Sequence, residues 1–304
     1  MSPEKNQPPP QSPKKPTAEE REKILRAVYF EILEGFTPAA VDGTRVRIKH
    51  FDLRAQTTID QYYKEIYDKA RSKGLLTETE LFDRLLEDGT WTEDEEQDLQ
   101  RRQKALDGLR SSAAKAVNKK MREVVEENIL TAQKEVAEIK EKKGSLIENT
   151  CEQFAARRSS DLIVRLSFWK EDKDEAYFSG EDFDLLDRAD IASLIGIYNA
   201  ATVDLTVESI KAITTADFFT SYYAIVEDNP AQFFNQPVHQ LTFFQVNLVN
   251  YARIFSSIIK NLDPPDHIRS DPEKLLGFAK GEAKKRKTAN RKAERDKGAP
   301  TTLG

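Results

Sequence analysis

Residues 92–150 read TEDEEQDLQRRQKALDGLRSSAAKAVNKKMREVVEENILTAQKEVAEIKEKKGSLIENT, fifty-nine positions without one aromatic side chain. Apolar residues recur in a three-four rhythm: Leu99, Leu106, Leu109, Ala113, Val117, Met121 and Val124, then Ile129, Ala132, Val136, Ile139 and Leu146. Glu, Lys, Arg and Gln fill the positions between them. A narrow apolar stripe with charged flanks is the pattern of a coiled coil or a long helical hairpin. Such a stripe has to pack on another helix, of the same chain or of another. Its phase shifts near Val124–Val125, and Ser111–Lys120 is small and polar but holds no Gly or Pro. A bend between antiparallel helices and one continuous helix, on the order of 80 Å long at ~1.5 Å per residue, both remain open.

Toward the N-terminus the punctuation is clear. Thr92-Glu93-Asp94-Glu95 and Thr77-Glu78-Thr79-Glu80 are capping boxes, in which the threonine oxygen takes an orphan backbone N–H and the glutamate takes another in return. Trp91 occupies the staple position beside the first of them. Thr58–Lys73 places Ile59, Tyr62, Tyr63, Ile66, Tyr67 and Ala70 on one side of a helix, and Gly74 ends it as a C′ residue. Asp42-Gly43 between Val41 and the alternating Arg45-Val46-Arg47-Ile48-Lys49 is a hairpin signal, expected to form a two-stranded element. A first helix is expected over Glu19–Glu34. Residues 1–18 hold six of the thirteen prolines and almost no apolar side chain, so they are expected to be a disordered arm.

Toward the C-terminus the chain changes character. Residues 177–278 carry fifteen of the twenty-seven aromatics, and large rings dominate cores and interfaces. Helices are expected over 181–187, 190–203, 206–225 and 241–262, the last opened by a capping box at Thr242 and Gln245. Pro264-Pro265 stops it, and Asp271-Pro272 opens one more short helix. The expected fold is mainly α. It has a small N-terminal β-hairpin, a central helical hairpin or coiled coil, and an aromatic-rich C-terminal helical bundle. The expected segments are 1–18, 19–91, 92–170, 177–278 and a disordered basic tail over 279–304.

Charge is unevenly spread. The net −5 divides into +2 over residues 1–18, +6 over 279–304 and −13 between them. The tail's cations include Lys284, Lys285, Arg286, Lys287 and Arg291, which suit phosphate contacts. Catalytic patterns are missing from the sequence. His50, His239 and His267 stand far apart, no HExxH or CxxC spacing exists, and the twelve glycines form neither G-x-G-x-x-G nor G-x-x-x-x-G-K-[ST]. Asp172 with Asp174 and Asp182 with Asp184 lack the EF-hand spacing. Cys151 is the one cysteine and is expected to be an inert buried thiol in a reducing compartment. The expectation is therefore no catalytic residue, no cofactor and no metal. No apolar run approaches the ~20 residues of a membrane span, and the Pro- and Lys-rich start lacks the apolar core of a secretory signal.

Two stretches, Asp228-Asn229-Pro230-Ala231-Gln232-Phe233-Phe234-Asn235-Gln236-Pro237 and Leu241-Thr242-Phe243-Phe244-Gln245-Val246-Asn247-Leu248, resemble segments of tailed-bacteriophage proteins. Leu75–Trp91 followed by an acidic helical hairpin does so too. The family is that of contractile-tail and baseplate-hub assembly chaperones and minor structural proteins. The resemblance covers about residues 30–275 and brings no catalytic residue with it. It implies a non-enzymatic assembly protein that binds other tail or baseplate components, located in the host cytoplasm during assembly or in the virion. Self-association is a further expectation. The residues expected to bind partners are Phe233, Phe234, Phe243, Phe244 and Tyr251, with Leu99, Leu106, Val136 and Ile139 forming the coiled-coil stripe. The alternative reading is a structural protein that binds nucleic acid through its basic tail.

Overall fold

The computed structural model describes residues 17–115 and 119–297. In chain order, α1 (Ala18–Glu34) leads into strands β1 (Phe36–Val41) and β2 (Thr44–Lys49). Helices α2 (Leu53–Ser72), α3 (Glu78–Glu87), α4 (Glu93–Lys115), α5 (Lys119–Leu146) and α6 (Cys151–Ser167) follow, and then strand β3 (Phe168–Lys170). The remainder is helical: α7 (Gly180–Asp184), α8 (Arg188–Thr202), α9 (Val207–Thr214), α10 (Asp217–Val226), α11 (Phe243–Leu262), α12 (Asp266–Arg269) and α13 (Pro272–Lys297). The fold is mainly α with one small sheet, as the sequence predicts. The chain forms two compact units, one of residues up to Gln56 together with those from Val164 on, the other Thr57–Ile163.

In the discontinuous unit, α1 starts with a capping box at Thr17 and Glu20 and ends at Gly35, whose φ of 78° suits a residue without a Cβ. Asp42 (φ 48°) and Gly43 (φ 78°) both adopt positive φ. This is the two-residue turn whose twist matches that of the flanking strands. The strands pair from Val41 opposite Thr44 to Phe36 opposite Lys49. The sheet has three strands rather than the two expected, because β3 adds to β2 with Ile48 opposite Phe168. Three residues directly after an amphipathic helix carry no period-two signal, so only the tertiary pairing reveals β3.

Two larger cores and a smaller cluster under α13 fill this unit. Val28, Tyr29 and Ile32 of α1 pack with Ile210 and Ile213 of α9, Phe219 and Tyr223 of α10, and Leu248, Val249 and Ala252 of α11. Val46 and Ile48 pack with Val164, Phe168, Phe183 and Leu194. The region 19–91 is therefore not one structural region: α1 and the hairpin belong with residues beyond 164, and α3 lies in the other unit. The helix expected over 206–225 is two helices. The Thr214 and Thr215 hydroxyls donate to the Lys211 carbonyl, and Thr215 also reaches the Ser270 carbonyl. Such side chains compete with the helical backbone and end α9.

The tail differs most from expectation. Helix α13 continues to Lys297 instead of dissolving at residue 279. Leu275 is fully buried against Phe255 and Ile258, so the first turns are fixed by packing and later residues need only propagate. Residues 1–16 of the Pro-rich arm and 298–304 of the tail lie outside the described residues.

In the Thr57–Ile163 unit, α4 and α5 are antiparallel, which resolves the choice between one long helix and a hairpin. Leu99 and Leu106 of α4 meet Val136 of α5, flanked by Ile129, Ala132 and Ile139. Arg102 pairs with Glu135, Lys142 with Glu95 and Lys143 with Glu96 along the seam. The part of the stripe around Leu99, Leu106, Val136 and Ile139 is thus covered by its own chain. Val117 falls outside the described residues, while Met121, Val124 and Leu130 are exposed. Both threonine capping boxes form as expected. Trp91 is 1% exposed, and its indole N–H donates to Glu96.

Candidate functional site

Among the five aromatics expected to contact partners, four pack within the chain. Phe234 is buried in the α1–α9–α11 core. Phe233 stacks on Phe219 and Tyr223, with ring planes 11° apart in each pair. Phe244 meets the edge of His50 at 5.1 Å, and Tyr251 stacks on Phe255. Only Phe243 is largely exposed, at 63%. Its backbone N–H donates to the Phe51 carbonyl, just ahead of α2.

A larger aromatic surface lies on α1 and α10. Phe30 is 56% exposed and Tyr222 62%, with Ile225 one turn further along α10. The buried Tyr29 ring lies 5.6 Å from Phe30 and 5.8 Å from Phe218, so α1 and α10 meet through Tyr29. The Arg26 guanidinium sits 4.4 Å from the Phe218 ring centre, a cation–π contact at its rim. Burial raises the Tyr29 phenol above its ordinary range, with a smaller push from the Tyr222 phenol. Neither Phe30 nor Tyr222 is among the residues expected from the sequence to bind partners. The signal lay in α1 itself: Leu25, Val28, Tyr29 and Ile32 already complete its inward face, which leaves Phe30 as an aromatic outside the stripe.

A buried polar chain crosses from α1 to the hairpin. Glu31, Thr37 and His50 form a chain in which the Thr37 hydroxyl donates to Glu31 at 3.0 Å and meets His50 Nε2 at 2.9 Å. With the hydroxyl proton directed to Glu31, His50 carries its proton on Nε2 and donates to Thr37. Nδ1 is then a buried acceptor without a hydrogen-bond partner among the described residues. Burial lowers the His50 pKa to about 4 and raises that of Glu31. The chain resembles a nucleophile relay only in composition. Thr37 is 3% exposed, so a substrate cannot reach its oxygen.

Cys151 is buried beneath the Leu75 carbonyl, to which its thiol donates at 3.2 Å, and burial pushes its pKa up. A raised pKa disfavours the nucleophilic thiolate. A shallow depression of about 450 Å³ beside the β1–β2 turn is lined by Thr44, Arg45, Lys170, Glu171, Asp172, Lys173 and Tyr177. Asp172 falls there, but no group of three His, Cys, Asp or Glu side chains able to hold a metal occurs among the described residues. His239 and His267 lie on short helical turns, away from His50 in the sequence. Asp182 serves α7, accepting from the Ser179 hydroxyl and donating its own N–H to it. No described helix is long and apolar enough to cross a membrane.

The arrangement is a helical scaffold with apolar and aromatic side chains presented to solvent, and the basic residues Lys284, Lys285, Arg286 and Lys287 exposed on α13. The side chain of Arg291 lies outside the described residues. Compared with protein-family models, curated proteins and solved structures, the chain matches none.

Proposed function

We propose that this chain is a non-enzymatic assembly protein whose partner contacts are made by the α1–α10 aromatic surface. The observation that carries the reading is the pair Phe30 and Tyr222, more than half exposed on adjacent helices and continued by Ile225. Contiguous exposed apolar surface rimmed by polar groups marks interaction sites, whereas single exposed residues do not. Aromatic anchors with a nearby arginine are the residue types that dominate interface energetics. The stripe of Leu99, Leu106, Val136 and Ile139 no longer supports this reading, since α4 and α5 cover it mutually.

The likeness of Asp228–Pro237 and Leu241–Leu248 to tailed-bacteriophage segments favours tail or baseplate components as the partners. The test is co-expression with the products of adjacent reading frames, followed by size-exclusion chromatography with light scattering. A defined complex that is lost in the Phe30→Ser/Tyr222→Ser variant, while the variant remains folded, is the expected result. A complex that survives the double substitution refutes the surface assignment. A strictly monomeric chain in every co-expression refutes the assembly role.

A further inference from the structure

Helix α13 leaves the body of its unit as a charged rod. Its packed side is set by Leu275, buried against Phe255 and Ile258, with Leu276 and Ala279 against the same cluster. From Ala283 to Ala289 every described residue is exposed. At 3.6 residues per turn, Lys280, Lys284, Lys287, Arg291 and Arg295 recur on one face, within a sector of about 80°. By helical phase Leu275 and Ala279 lie outside that sector, while Leu276 borders it near Lys280 and Lys287. The five positions extend along about 22 Å of helix at ~1.5 Å per residue.

Three observations narrow what such a face can hold. Among the described residues no carboxylate pairs with Lys280, Lys284 or Lys287; the ion pair in this stretch joins Glu282 to Lys285, off the cationic face. Like charges three and four residues apart destabilise a helix, and an opposing line of negative charge relieves that repulsion. From 279 to 297 the apolar residues are only alanines. A membrane surface or a hydrophobic groove needs a large apolar face, which is missing here. Single-strand binding uses aromatic stacking platforms, and the segment has no aromatic.

We infer that the Lys280–Lys284–Lys287–Arg291–Arg295 face of α13 docks on the phosphate backbone of a nucleic-acid duplex, without reading sequence. Helix and duplex are both stiff rods, so a straight row of cations can lie along a row of phosphates. This inference is independent of the α1–α10 surface.

Fluorescence anisotropy with the full chain and labelled 24-base-pair DNA and RNA duplexes tests it. Neutralising about five phosphates gives a slope of log K against log salt of roughly −4 to −5, a loss on the order of several hundredfold between 50 and 200 mM salt. The variant Lys284→Gln/Lys287→Gln/Arg291→Gln is expected to bind at least tenfold more weakly at 100 mM salt, with a slope reduced by about three. Lys285→Gln/Arg286→Gln/Lys297→Gln removes equal charge from the other side and is expected to stay within threefold of the unmodified chain. DNA and RNA duplexes are expected to bind within a few-fold of each other. Equal losses from the two triple variants, no binding at 50 mM salt, or displacement of the duplex by polyglutamate at matched charge would each overturn the inference.

Discussion

His50 gives the discontinuous unit a specific sensitivity to acid. Its ring is 4% exposed, holds its proton against Thr37 and faces the Phe244 ring, and its pKa falls from 6.5 to about 4 because burial penalises the imidazolium. The unfolded chain therefore binds a proton more readily than the folded one between these two values. Stability is complete above pH 6.5 and is lost as pH falls toward 4. At about 1.4 kcal/mol per unit the full loss is roughly 3 kcal/mol. Between pH 7.5 and 5 about 2 kcal/mol of it is spent. Glu31 acts in the opposite sense: burial raises its pKa, so its contribution is present at low pH and declines as pH rises through the raised value. The informative quantity is thus the difference between the wild-type chain and His50→Gln, which keeps Glu31 and every other carboxylate. Urea unfolding read by Trp169 in a Trp91→Phe background isolates this unit. The wild type is expected to lose about 2 kcal/mol more than His50→Gln between pH 7.5 and 5. Identical losses in the two proteins would refute the argument that a neutral, desolvated imidazole sets the acid limit.

Gln245 is 1% exposed; its side-chain N–H groups donate to the carbonyls of Ile32 and Leu33, and its oxygen accepts from Gln236 and the Thr242 N–H. Gln245→Leu strands several buried polar groups and is expected to destabilise the unit by about 2–4 kcal/mol in urea unfolding. In the other unit, Leu106→Ala is expected to cost about 2–4 kcal/mol by cavity formation. Leu130→Ala, on the exposed side of α5, should stay within about 0.5 kcal/mol in the same measurement. Cys151 reports that unit's opening: at pH 8 its buried thiol should label with a disulfide reagent orders of magnitude more slowly than a free cysteine. Leu106→Ala should speed the labelling, and rapid modification of the native chain would contradict the burial.

Much of the local structure was legible because short-range chemistry decides it. Thr77, Thr92 and Thr242 with their glutamate or glutamine three positions on mark helix starts, and Asp42-Gly43 marks the hairpin. Strand β3 was not legible, since Phe168–Lys170 becomes a strand only by meeting β2. The break at Thr215 depends partly on the distant Ser270 carbonyl, which no window around residue 215 contains. The basic tail reads as disorder because its charge density is high, yet Leu275 anchors it from the front. For the surfaces the difficulty was different. Phe233 and Phe243 belong to similar doublets, and only the packing against Phe219 and Tyr223 separates the stacked ring from the exposed one. The paired stripe predicted that some helix must cover it; that α5 turns back to do so rested on weak polar signals around Ser111–Lys120.

The amide of Gln245 ties α11 to the end of α1 across 213 and 212 residues of sequence. A ribosome adding ~5–20 residues per second delivers that amide some ten to forty seconds after Ile32 has emerged. Helix α1 must wait for α9 and α10 before Val28, Tyr29 and Ile32 are covered, while the α4–α5 hairpin, whose cross-helix ion pairs span 33 to 47 residues, can already close. The apolar face of α1 is therefore bare on the nascent chain while the hairpin is already closed, and it offers a chaperone an early surface.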